Sequence, residues 1–294
     1  MSISIKKFHT IENLQLSDLQ TRASAYYQRP PDNYYILADT AAYRYNEIDQ
    51  PFHCDLISRI PRGANVLEMG CGSAHLCPHV QAKGASYTGA DFSQHQLKSN
   101  RQRYPDAEFF DLHDPLLIQR KFDIVVSLYT IEHVVNPISY LHELWDMSLP
   151  GGSLAIICPD FIDGQGFAPS IYFGKSPARI RQKITNKDFA GVIGHLADLL
   201  LRAPIWKIRA RLSRPGAFWI NLDPREFSNS RHSPDSDAIH LPRLKDILWW
   251  LDGMGAEIAA SSSTFQIESK AVRNHNCYVF ARKPNDQLIE KFGK

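Results

Sequence analysis

Two features of the chain concentrate residues able to do chemistry. The first is Val66-Leu67-Glu68-Met69-Gly70-Cys71-Gly72-Ser73-Ala74, an apolar run ending in an acidic, glycine-lined turn. The second is Asp91, which closes the next apolar run about twenty residues later. Glycines let a ligand approach the backbone closely, and a carboxylate at the second position can accept from the paired hydroxyls of a ribose. Together they point to a nucleoside-containing cofactor. Ser73 is placed to cap the following helix, whose positive end would face a carboxylate or phosphate. Plainer readings stay open: a tight turn for Gly70 and Gly72, and a helix cap for Asp91. The dinucleotide fingerprint G-x-G-x-x-G is broken, because His75 stands where its third glycine belongs. Glu68, just before the turn, suits a cationic amino-acid head group better than a pyrophosphate.

These residues need a scaffold that brings strand ends together. From Val66 the apolar pattern predicts strands over 66–70, 86–91, 107–110, 122–128 and 153–158, with helices over about 75–83, 94–103 and 136–147. Short strands alternating with helices imply an α/β fold with a mostly parallel sheet. The alternation stops after Cys158-Pro159-Asp160 and resumes near Leu241, with a helix over 244–251 and strands near 256–262 and 276–282. The expected division is an N-terminal helical cover (1–61), a core (62–158), a large insertion after the fifth strand (159–240) and the C-terminal part of the core (241–294). The cover is rich in tyrosine, with Tyr26, Tyr27, Tyr34, Tyr35, Tyr43 and Tyr45, and one or two of Tyr26, Tyr27, Tyr34 and Tyr35 are expected to line the site. Within the insertion, Phe189–Leu201 reads as an apolar helix, and Pro204 is expected to separate it from a basic amphipathic stretch, Trp206–Arg214.

The motifs resemble those of class I S-adenosylmethionine-dependent methyltransferases, in particular the small-molecule group that includes quinone and natural-product enzymes. Four elements match in order: Glu68–Ala74 with Asp91, Phe122–Leu128, Ile131-Glu132-His133-Val134, and Leu149-Pro150-Gly151-Gly152-Ser153-Leu154. The resemblance implies a Rossmann-like fold with a seven-stranded sheet and S-adenosyl-L-methionine as cofactor. It places Glu68, Gly70, Cys71 and Gly72 at the methionine part and Asp91 at the ribose. Phe92 would stack near the nucleoside, and Asp111 and Leu112 would lie beside the adenine, with Leu128 also lining the cofactor site. Asp111 has a plainer reading as a turn residue. Ala74 departs from the family pattern, where a third glycine is common; a methyl group fits there if the backbone keeps a negative φ.

Methyl transfer to a hydroxyl needs alignment and removal of a proton. His133, just past the fourth strand and with an intrinsic pKa of about 6.5, is the candidate base; shaping the pocket is its alternative role, and Glu132 and Tyr129 share that ambiguity. His232, Asp235, Asp237 and His240 are candidates for acceptor contacts. No metal is demanded, and Cys54, Cys71, Cys77, Cys158 and Cys277 show no zinc spacing. The 33 basic and 31 acidic side chains nearly balance, which argues against a nucleic-acid-binding surface. Residues 175–214, however, carry ten Lys and Arg against two Asp, a local excess suited to an anionic or sugar-phosphate acceptor, to an anionic membrane, or to plain solvation. The apolar stretches look too short or interrupted to cross a bilayer, so the expected location is cytoplasmic, peripheral to a membrane at most. The expected activity is methyl transfer to oxygen on a sugar or biosynthetic intermediate. The alternatives are an inactive cofactor-binding or membrane-associated scaffold and, more weakly, a nicotinamide-dependent reductase.

Overall fold

The computed structural model describes residues 5–36, 50–164, 168–171, 180–228, 232, 235–264 and 276–285; Tyr43 and Tyr45 lie outside them. The described chain opens with β1 (Ile5–Lys7) and α1 (Asn13–Gln28), followed by α2 (Gln50–Ser58). Strands and helices then alternate: β2 (Asn65–Met69), α3 (Cys77–Ala82), β3 (Ser86–Asp91), α4 (Gln94–Arg103), β4 (Glu108–Asp111), α5 (Pro115–Ile118), β5 (Phe122–Leu128), α6 (Pro137–Met147) and β6 (Ser148–Pro159). The local reasons are visible in the caps. Ser93 Oγ accepts from Gln96 N at the start of α4, and Asn136 Oδ1 accepts from Ser139 N beside Pro137 at the start of α6.

The large sheet has the order β4-β3-β2-β5-β6-β10-β9, with β9 (Glu257–Ser261) and β10 (Asn276–Arg282) supplied from near the C-terminus. β2 to β6 run parallel, and β10 is antiparallel to both β6 and β9. This is the seven-stranded, mostly parallel, Rossmann-like arrangement. Alternate residues of β2 enter opposite cores: Val66 joins Phe52, Leu56 and Val80, while Leu67 joins Leu141, Leu144 and Trp145. Winding changes direction between β2 and β5, which opens a crevice at the carboxyl ends of those strands. β6 starts earlier than its apolar run, since its pairing with β5 slips between Phe122↔Ser148 and Ile124↔Ser153 and the intervening turn includes Gly151 at φ +75°.

The insertion contributes α7 (Ile180–Thr185), α8 (Phe189–Leu212), β7 (Trp219–Asn221) and β8 (His240–Leu241), and α9 (Leu244–Gly253) follows. β1, β7 and β8 form a second, antiparallel sheet, so the N-terminal cover begins as a strand stitched to the insertion. A three-residue strand has no readable period, and only its distant partner makes it a strand. Pro204 does not separate two helices: α8 is continuous, with a π-turn at Asp198–Arg202 just ahead of the proline. The wider turn accommodates a residue that cannot donate a backbone hydrogen bond. At 24 residues, α8 is long and apolar enough to cross a membrane by length and composition, which corrects the expectation from the sequence; 22% of its most apolar window is buried.

The insertion is anchored by a fully buried ion pair between Arg243 and Asp246. The Arg243 guanidinium also donates to the carbonyls of Ala210 (2.8 Å) and Arg214 (3.0 Å), and Asp246 Oδ1 accepts from Gly216 N (2.7 Å). Through Arg243 Nη1 and Nη2 and Asp246 Oδ1, the pair links the end of α8 and the turn after it to the start of α9. Arg243→Ala leaves the Asp246 charge buried without its partner and is expected to lower stability by about 3–5 kcal/mol in urea unfolding. A loss under ~1 kcal/mol would show that this link carries little of the fold.

Candidate active site

A cavity of about 1240 Å³ opens at the carboxyl ends of β2, β3 and β5. Glu68, Gly70, Cys71, Gly72, Asp91, Phe92, Leu112, Leu128 and His133 all line it. Asp111 does not. Its carboxylate accepts from Gln94 Nε2 (2.6 Å) and His113 N (2.9 Å), which makes it a turn residue behind the wall, the plainer of its two readings.

One end of the cavity is built by local hydrogen bonds. Gly70 N and Cys71 N both donate to the Ala90 carbonyl at the end of β3 (2.7 and 2.9 Å). Asp91 Oδ2 accepts from Gly72 N (2.9 Å) and Oδ1 from Ser93 N (2.8 Å), while Asn100 Nδ2 donates to the Gly72 carbonyl (2.7 Å). Both Asp91 oxygens are thus engaged by backbone donors, and a carboxylate has about four acceptor sites in all. Gly70 has φ +72°, and a Cβ there would sit 2.3 Å from Thr130 Cγ2; at Gly72, with φ +49°, an added Cβ meets nothing within 4 Å. The space a side chain would occupy at Gly72 is therefore open cavity. Ala74 adopts φ +54°, so the condition for its easy replacement of glycine is not met, and the left-handed backbone costs about 1–2 kcal/mol. Ser73 is not a helix cap: α3 begins only at Cys77, with Leu76 at its N-cap, and Ser73 Oγ instead faces Gln96 Oε1 (3.4 Å).

Burial sets the electrostatics of this end. Glu68 accepts from Tyr87 Oη (2.5 Å). Its pKa is pushed up to about 8 by burial, against the lowering effect of the Tyr87 hydrogen bond and with help from the Asp91 charge. Asp91 is also raised by burial, although the backbone donors of Ser93, Gly72 and Phe92 work against the shift. Both carboxyls are thus primed to gain from a buried cation or extra hydrogen-bond donors.

The other end is assembled from distant segments. Tyr27 of α1 donates its hydroxyl proton to Asp237 Oδ2 (2.9 Å), and its oxygen lies 2.9 Å from His133 Nδ1. Since the single Tyr27 proton goes to Asp237, the second contact places a proton on Nδ1 and leaves Nε2 with the lone pair. Burial opposes a charged His133, but Asp237, Glu132 and Asp235 outweigh it and raise its pKa. Glu132 is pushed up to about 8 and Asp235 to about 6, in both cases chiefly by burial. Neither Glu132 oxygen has a hydrogen-bond partner among the described residues; His133 Nε2 lies 3.9 Å from Oε1. Such a cluster titrates as a unit.

Three tyrosines of the N-terminal cover line the cavity, Tyr27, Tyr34 and Tyr35, more than the one or two expected, and Tyr129 and Tyr140 of the core line it as well. Tyr26 stands behind them, with its hydroxyl 2.9 Å from His232 Nδ1. His232, Asp235 and Asp237 line the site, but His240 is fully buried behind it, its Nδ1 bound to the Ile131 carbonyl and its pKa lowered to about 3 by burial. Thr130, whose side chain would clash with any Cβ at Gly70, and Asn100 were not foreseen; nothing in their sequence positions marks them. Eight Asp and Glu line the cavity among the described residues, against four His and a single Lys or Arg, Lys121. None of the described Lys and Arg of residues 175–214 reaches it, which removes the geometric basis for linking the basic insertion to an anionic acceptor.

A family model described as a methyltransferase domain matches residues 45–260. A demethylmenaquinone methyltransferase of Listeria welshimeri is 30% identical over 115 residues, which are 34% of this chain and 47% of that protein. A ubiquinone biosynthesis O-methyltransferase of Pseudomonas entomophila is 31% identical over 103 residues, 31% of this chain and 43% of the relative. The chain spans about half the length of the curated relatives it matches. Among solved structures, the 1,6-didemethyltoxoflavin-N1-methyltransferase of Burkholderia thailandensis superposes with a TM-score of 0.51 at 12% identity, covering 94% of this chain and 92% of that one, a likeness of fold alone. With its family model covering well over half of the sequence and its sheet in the class I order, the chain belongs to the methyltransferase-domain family.

Proposed function

We propose that this protein methylates a hydroxyl of a small molecule, with S-adenosylmethionine bound at the Glu68–Asp91 end of the cavity and His133 acting as the base. The observation that carries this reading is the placement of two different polar ends in one cavity: a glycine cradle with buried carboxyls, and a histidine held by Tyr27 and Asp237. The residues fit the cofactor, since the Gly72 cradle is open where a Cβ would project and the lining is acidic, as suits a cationic group. When bound, it supplies a methyl group activated by a sulfonium centre. Glu68 would hold its ammonium and Asp91 its ribose hydroxyls, with Phe92 and Leu112 flanking the nucleoside.

The chain's own work lies in orientation and proton transfer. Tyr27 and Asp237 keep the Nδ1 proton of His133 in place, so Nε2 is the atom that takes the acceptor proton. Asp237 then stabilises the imidazolium that forms. Tyr34 and Tyr35 wall the cavity against water. The acidic lining favours a neutral, hydroxyl-bearing acceptor, such as a sugar or a biosynthetic intermediate without its own negative charge.

Asp91→Ala should weaken S-adenosylhomocysteine binding at least ~100-fold in calorimetry, because hydrogen bonds to a charged acceptor contribute about 1.5–3 kcal/mol each. Unchanged binding by the folded variant would remove Asp91 from the site. Glu68 must be ionised to pair with an ammonium. With its free-state pKa about 8 and a lower value in the complex, affinity should rise with pH from 6 toward 8, by up to about tenfold per unit. Titrations in buffers of unequal ionisation enthalpy should show proton release, and its absence counts against the role of Glu68.

His133 must be neutral to accept a proton, and its pKa is raised, so the acidic limb of kcat/KM should fall above about pH 6.5. Asp237→Asn removes a charge that raises this pKa and should move the limb to lower pH. His133→Gln should lower kcat by roughly 10²–10⁴-fold. If it leaves kcat intact while Asp91→Ala abolishes binding, the cofactor assignment stands and the base lies elsewhere.

A further inference from the structure

α8 carries its apolar residues on the wrong side for a core helix. Phe189, Ile193, Leu196 and Leu200 recur at helical spacing in its first half, and Ile205, Ile208 and Leu212 in its second, all of them exposed. Phe189 is 62% exposed, Leu200 64% and Leu212 83%. The buried positions, His195, Ala203, Trp206, Lys207 and Ala210, fall on the opposite face.

The two halves share one stripe only because of the π-turn at Asp198–Arg202. A π-turn inserts about one residue, which turns the following segment by about 100° and brings Ile205 and Ile208 into line with Phe189 and Leu200. The result is a continuous apolar strip about 36 Å long. A soluble surface rarely leaves so long a strip uncovered.

Charge identifies the occupant. Asp198 is the single acidic residue of α8, and it is paired with Arg202 at 2.7 Å. Exposed Arg209 lies about 70° to one side of the stripe, and exposed Lys187 and Arg214 flank the two ends of the helix. Apolar side chains in the middle with cations along the edges match the boundary between acyl chains and anionic headgroups. Neither Lys187 nor Arg209 lines the cavity.

We propose that α8 docks the protein on an anionic membrane, lying in the plane of the headgroups rather than spanning the bilayer. The inner face of its second half is tied to the body. Lys207 Nζ donates to the Gly164 carbonyl (2.8 Å), Arg211 Nε to the Ile162 carbonyl (2.7 Å), and Arg243 to the Ala210 carbonyl. Residues 160 and 161 of that same loop line the cavity, so the docking helix is mechanically joined to the wall of the site. The inference goes beyond methyl transfer and does not depend on it.

The test is flotation of the full chain with vesicles of phosphatidylcholine alone or with about a quarter phosphatidylglycerol. Binding should be at least ~10-fold stronger to the anionic vesicles, and carbonate should release it. Leu200→Asp/Ile208→Asp should lose at least ~10-fold in affinity, and Lys187→Glu/Arg209→Glu should abolish the preference for anionic lipid. Both variants change exposed positions remote from the cavity lining, so their S-adenosylhomocysteine titrations report on the cofactor reading separately. Three outcomes overturn the proposal: no binding by the unaltered chain, carbonate-resistant insertion, or a dimer in light scattering that Leu200→Asp/Ile208→Asp splits while vesicle binding is absent.

Discussion

The half-buried, hydrogen-bonded junction of Tyr27, His133 and Asp237 joins three parts of the chain that have no local reason to meet. Tyr27 comes from the first helix, His133 from the turn after β5, and Asp237 from the end of the insertion. A buried carboxylate without partners is costly, so Asp237 is stable in place only when the tyrosine and histidine are there to face it. Around this point further contacts close the cover: Arg22 Nη2 on the Leu222 carbonyl (2.6 Å), Asn33 on the backbone of His232, and the small sheet β1-β7-β8. The junction thus serves the fold and the proposed proton transfer at once.

The two ends of the cavity differ in how they are made. The glycine cradle lies within the stretch from β2 to α4, and its hydrogen bonds among Gly72, Asp91, Ser93 and Asn100 span fewer than thirty residues. It can form as soon as β2 and β3 pair. The acceptor end needs contacts across more than a hundred residues, and its walls are loops and aromatic edges. Rigid local geometry suits a group with fixed shape, while a wall assembled from cover and insertion can vary without disturbing the sheet.

Charge is sorted in space more cleanly than along the chain. The cavity collects carboxyls whose pKa values burial raises, such as Glu68, Glu132 and Asp235. The insertion keeps its exposed cations, among them Arg209, outside it. Net charge near zero therefore conceals an acidic interior and a basic flank beside an apolar helix face.

The sheet strands, the glycine turn and the position of Asp91 were legible in the sequence, because alternating apolar runs and a strand-to-helix turn are short-range signals. His133 was legible as a candidate for the same reason, being a few residues past a strong strand. The sequence could not show that Asp111 faces Gln94 and His113 rather than the cavity, since side-chain direction in a turn depends on its neighbours. Nor could it show that Ala74 takes a positive φ, that Pro204 continues a helix, or that Ile5–Lys7 is a strand. Those outcomes depend on partners distant in the chain or on a one-residue change of helical phase. The amino-acid order by itself determined the core and the residues capable of chemistry. Only the tertiary structure decided which of them share a cavity, because burial, hydrogen-bond pairing and the side of α8 left to solvent are properties of the packed chain.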